Sequence, residues 1–111
     1  MEGWIRVLYV DDEPALLNIT QIYLERLGEF NVSVAESAKR ALEMLSDKPF
    51  DAIVSDYQMP DIDGIELLKT VREQFGDIPF ILFTGRGDEA IAGDAVNTGV
   101  DFYVQKGGDP K

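Results

Sequence analysis

Apolar residues arrive along this chain in short blocks, and the segments between the blocks have a helical rhythm. Residues 5 to 10 (IRVLYV), 30 to 35 (FNVSVA), 51 to 56 (DAIVSD), 79 to 84 (PFILFT) and 101 to 106 (DFYVQK) have the β-branched and aromatic content of strands. After the first block, Pro14 suits the opening turn of a helix, and Leu16, Leu17, Ile19, Tyr23, Leu24 and Leu27 recur at helical spacing before Gly28, a left-handed cap. Ser37 is placed to cap a second helix carrying Ala38, Ala41, Leu42 and Leu45. Asp63 and Glu66 have capping-box spacing ahead of Ile65, Leu67, Leu68, Val71 and Phe75, with Gly76 closing that helix. Asp88 is a cap for a fourth helix running towards Thr98 and Gly99.

The first, third and fourth blocks are apolar at consecutive positions, which predicts strands covered on both faces. Five strands alternating with four helices then predict an α/β fold, a parallel sheet with helices on both sides. At 111 residues with 45% hydrophobic content, the chain suits one domain with one core, spanning residues 1–111.

Composition narrows the chemistry. A formal charge of -11 repels nucleic acid and anionic membrane surfaces, and the ten cations form no basic stripe. No cysteine and no histidine occur, so disulfides, thiolate metal sites and the commonest general base are excluded. Chemistry must use carboxylates, hydroxyls or lysine. The opening MEGWIRV lacks the pattern of a signal peptide, and no apolar run approaches the ~18 residues of a membrane span, so the expected location is the cytoplasm.

In an open α/β sheet, ligands bind beyond the carboxyl ends of the strands. Those ends here carry Asp11 and Asp12 after the first strand, Asp56 at the third, Thr84 at the fourth and Lys106 at the fifth. Crowded carboxylates need a cation among them, and an all-oxygen donor set points to a hard divalent ion such as Mg2+. With a metal in place, one carboxylate can be the nucleophile towards a phosphoryl group while a lysine and a hydroxyl hold the transferred oxygens; Asp56, on the strand expected to be central, is the candidate. Each residue alone has a plainer reading. An acidic pair suits a helix N-terminus, Asp56 a turn, Thr84 a strand, and Lys106 a solvated surface. Their convergence on one edge favours the site.

The chain resembles the receiver domain of two-component response regulators over essentially its whole length. The acidic pair in YVDDEP, the stretch DYQMPDIDG from Asp56 to Gly64, the Thr84-Gly85 pair and the YVQK ending at Lys106 carry the resemblance. It implies a three-layer, doubly wound, flavodoxin-like sheet of strand order 2-1-3-4-5. It also implies Asp56 as phospho-acceptor, Asp11 and Asp12 as Mg2+ carboxylates, one through water, and the Gln58 backbone carbonyl as a further metal ligand. Lys106 and Thr84 would contact the phosphoryl group, Tyr103 would move inward on activation, and Gln58 and Arg86 would tune the lifetime of the acyl phosphate. A histidine kinase would be the donor, and an output domain or downstream protein the recipient of the signal.

Two departures from the family pattern stand out. Gly107 follows the lysine where proline is common, giving a looser backbone there. The usual fifth helix has no counterpart before Lys111, which leaves one sheet face undercovered and implies a domain excised from a longer protein. Gly85, Gly87 and Gly99 fit a mobile segment. Against the switch stand a Mg2+-dependent phosphohydrolase with an aspartate nucleophile, whose two aspartates would be one residue apart, and a degenerate receiver serving only as a binding module. A flavin-binding module would need a phosphate loop where Asp11 and Asp12 sit.

Overall fold

A computed structural model of the chain describes residues 4–84 and 91–105; Gly85, Arg86, Gly87, Asp88, Lys106 and Gly107, all singled out above, lie outside the described residues. The elements alternate as the hydrophobic blocks predict: β1 (Ile5–Val10), α1 (Pro14–Arg26), β2 (Phe30–Ala35), α2 (Ala38–Asp47), β3 (Ala52–Asp56), α3 (Gly64–Gln74), β4 (Phe80–Thr84), α4 (Ile91–Thr98) and β5 (Phe102–Gln105). The five strands form one sheet in the order β2-β1-β3-β4-β5, every pair parallel. This is the expected doubly wound order.

Local chemistry sets the boundaries. Ser37 accepts a hydrogen bond from the Arg40 N–H, and Asp63 and Glu66 form the reciprocal capping box. Gly28 and Gly76 sit at φ +90° and +85°, the left-handed conformation that ends α1 and α3. β4 begins one residue later than the apolar block because Pro79 has no N–H for the ladder.

The pleat divides the core into two layers. Leu8 and Val10 of β1, Ile53 of β3, and Phe80 and Leu82 of β4 face α2, α3 and α4, meeting Ala41, Leu45, Leu67, Leu68, Val71 and Ala95. Val7, Tyr9 and Val32 face the other way, where Leu17 of α1 covers them.

Helix α1 buries few of the apolar residues that mark it. Of its apolar residues only Leu17 is buried, and Ile19, Tyr23 and Leu27 are more than half exposed. The cause is the way α1 is anchored. Gln21 Nε2 donates to the Val32 carbonyl at 2.7 Å and Glu25 accepts from the Val32 N–H at 3.1 Å, so α1 is fastened over β2 and β1. Among the described residues no fifth helix lies beside it over β3, β4 and β5, where Val54 and Phe83 are half-buried and Phe102 is 67% exposed. Among the described residues that face is therefore undercovered, as expected.

At the opposite pole of the sheet from the strand ends, Arg72 of α3 ties three elements together. Its Nε and Nη2 donate to the Gly99 carbonyl, Nη1 to the carbonyls of Gly76 and Ile78, and Nη2 also to Asp101. Asp101 accepts in turn from the Phe80 N–H at 2.7 Å, at the start of β4.

Candidate functional site

Strand register builds the site. Val10 lies opposite Ser55, so one residue on, Asp11 comes level with Asp56; Asp56 in turn lies opposite Phe83, and Thr84 follows. Carboxylate oxygens of Asp11, Asp12 and Asp56 all lie within 4.8 Å of one another. Asp11 is fully buried, Asp56 is 6% exposed and Asp12 faces solvent.

Burying acidic groups costs heavily unless they are hydrogen-bonded or meet a cation. For Asp11 both oxygens are engaged: Oδ1 accepts from the Glu13 N–H at 3.1 Å and Oδ2 from the Tyr9 hydroxyl at 3.2 Å. The donor set is oxygen alone, which suits a hard cation. Two oxygens on one octahedral Mg2+ are at most about 4.2 Å apart, given metal–oxygen distances near 2.1 Å. Rotation of one carboxylate, or one ligand acting through water, brings this trio into that range, so the residues fit such an ion.

The loop after β3 forms the rim. Asp12, Tyr57, Gln58, Met59, Pro60 and Asp63 line an open groove of about 470 Å³ beside the acidic cluster. Within the loop the Ile62 N–H reaches back to the Pro60 carbonyl at 2.8 Å around Asp61 at φ +71°, a tight and uncommon γ-turn. The turn lets the chain enter α3 directly. Gly64 is required there because a Cβ would fall 2.5 Å from the Asp56 carbonyl oxygen and 2.7 Å from Leu82 Cδ1. The first turn of α3 is thus pressed against the backbone that carries Asp56.

Across the sheet, Thr84 is fully buried and its hydroxyl donates to the Tyr103 hydroxyl at 3.1 Å. Tyr103, half-buried from β5, packs against the α2–α4 side of the core. The structure therefore brings together Asp11, Asp12, Asp56 and the Gln58 rim, and separately couples Thr84 to Tyr103. Lys106 and Arg86 lie outside the described residues. Sequence reading missed Tyr9 and the close approach at Gly64. The signal for Tyr9 was its place two residues before Asp11, on the same face of a strand.

A doubly wound α/β domain with a carboxylate cluster at its strand ends is the class that fold and site define. The chain matches the response regulator receiver domain family over residues 7–111 and belongs to that family. It is 35% identical to the response regulator Rre1 of Synechocystis over 111 aligned residues, 96% of this chain and 47% of that protein. It is 36% identical to the response regulator SaeR of Staphylococcus aureus over 105 residues, 95% of this chain and 45% of that one. The chain thus spans about half the length of these relatives. Among solved structures, a CheY-like response regulator receiver domain protein from Methanospirillum hungatei superposes with a TM-score of 0.87 at 30% identity, covering 96% of this chain and 85% of that one.

Proposed function

We propose that this receiver domain is a phospho-accepting switch whose acceptor is Asp56, with a phosphohistidine of a histidine kinase as donor. The observation that carries the reading is the convergence of Asp11, Asp12 and Asp56 within 4.8 Å, with Asp56 nearly buried at a central strand end beside an open groove. An oxygen of Asp56 forms a bond to phosphorus as the phosphorus–nitrogen bond of the donor breaks, and the departing imidazole nitrogen takes up a proton. The product is a mixed anhydride on Asp56. Later attack of water on phosphorus releases inorganic phosphate and restores the carboxylate.

Asp11, Asp12, Asp56 and the Gln58 carbonyl would hold Mg2+, which when bound offsets the negative charge that the incoming phosphoryl oxygens add. Lys106 would pair with those oxygens. Thr84 would give up its bond to Tyr103 and donate to the phosphoryl group instead, leaving Tyr103 to settle in its inward position. Gln58 at the groove and Arg86 would set how readily water reaches phosphorus. The domain turns over only its own modification and passes its state to an output domain or downstream protein. It would act in the cytoplasm, without binding nucleic acid itself; among the described residues no helix is long and apolar enough to cross a membrane.

Intact-protein mass after incubation with acetyl phosphate tests the reading. The expected result is one phosphoryl adduct that requires Mg2+ and is absent in Asp56→Asn. An adduct retained in Asp56→Asn would move the acceptor elsewhere, and steady consumption of donor with no adduct would make the domain a phosphohydrolase.

A further inference from the structure

Among the described residues, Tyr9 is the one buried hydroxyl-bearing ring that the switch chemistry leaves unused. It lies on β1 with 3% of its surface exposed, its ring held among Val7, Leu17 and Val32. Residues i and i+2 of a strand share a face, so Tyr9 projects on the same side as Asp11, and its hydroxyl donates to Asp11 Oδ2 at 3.2 Å. On the other side, the Glu13 N–H holds Oδ1 at 3.1 Å. The carboxylate is bracketed between a donor from the strand beneath it and a donor from the turn above it. A phenylalanine would fill the same apolar space; only tyrosine places a donor at its upper end.

We infer that Tyr9 is a positioning residue for the metal site, fixing the rotation of the Asp11 carboxylate so that it meets a divalent cation together with Asp12 and Asp56. A contact of 3.2 Å is longer than the 2.5–2.7 Å typical of a tight hydroxyl–carboxylate bond, so its role is orientation more than charge transfer. Groups that orient metal ligands from behind commonly change metal affinity by about 10- to 100-fold when removed. Tyr9 does so here without touching the cation. The inference rests on the metal reading proposed above.

Calorimetric titration with Mg2+ in the absence of any phosphodonor tests it, on wild type, Tyr9→Phe, Tyr9→Leu and Asp12→Asn, with the thermal midpoint of each metal-free protein measured alongside. Tyr9→Phe is expected to weaken Mg2+ binding about tenfold. Tyr9→Leu should weaken it by the same factor while also lowering the metal-free midpoint, because it removes ring as well as hydroxyl. Tyr9→Phe binding Mg2+ within twofold of wild type would overturn the inference and leave the metal reading intact. Wild type taking up no more Mg2+ than Asp12→Asn would overturn the metal reading itself, and this inference with it.

Discussion

Asp51 and Arg6 form the most fully bonded exposed ion pair among the described residues, and its pH response has a definite sign. The guanidinium meets both carboxylate oxygens at 3.1 and 3.2 Å, and the Arg6 N–H adds a third bond at 2.8 Å. Hydrogen bonding to Arg6 holds the Asp51 carboxyl below its ordinary value, and Asp51 correspondingly raises Arg6. A carboxyl depressed on folding contributes stability above its unfolded value, about 3.9, and that contribution is lost as the pH falls through the folded value. Urea midpoints of wild type and Arg6→Gln should therefore differ at pH 7, and the difference should shrink as the pH falls below about 3.9. A difference that persists at the lower pH would assign the effect to packing of the arginine stem. Because the pair is exposed, its contribution is the modest one of a surface salt bridge.

At the scale of elements, the junction of β3 and α3 is the most exacting. Gly64→Ala would press a methyl group into the Asp56 carbonyl and Leu82, and the backbone atom cannot turn aside. The expected loss is about 1–3 kcal/mol, the range for overpacking, read from urea denaturation. An unchanged midpoint would mean that α3 can slide away from β3.

The same junction divides what could be foreseen from what could not. Caps and turn residues act locally, so Pro14, Ser37, the Asp63–Glu66 box and Gly28 marked their element ends without tertiary knowledge. The meeting of Asp11, Asp12, Asp56 and Thr84 at one edge followed from the parallel sheet alone. Partners distant in sequence did not announce themselves: Arg72 reaches Gly99 and Asp101, and Leu82 is what forbids a side chain at Gly64. Helical spacing in α1 located apolar positions around an axis but could not say whether a neighbour would cover them. Ile19, Tyr23 and Leu27 are exposed for that reason.

For the whole molecule, charge and apolar surface oppose one another. A net charge of -11 keeps copies apart, while the face formed by α1 and by β3, β4 and β5 leaves Phe102, Val104 and Tyr23 in solvent. The folded domain by itself is expected to bind a hydrophobic fluorescent dye such as anilinonaphthalene sulfonate. Phe102→Ser should reduce that fluorescence while shifting stability by no more than about 0.5 kcal/mol, as surface changes usually do. Equal dye binding by the variant would locate the exposed patch away from β5.

The five bonds of Arg72 also decide how α4 can move. They pin the turn between α4 and β5 to the end of α3 and, through Asp101, to the start of β4, leaving the far end of α4 untethered by this fork. A helix of eight residues is about 12 Å long, so a tilt of about 5° around that fulcrum carries its far end by about 1 Å while the pinned end hardly shifts. Arg72 is thus placed as the pivot of a lever whose long arm points to the same end of the sheet as Thr84, so that a small rearrangement there would emerge on the surface as rotation of α4.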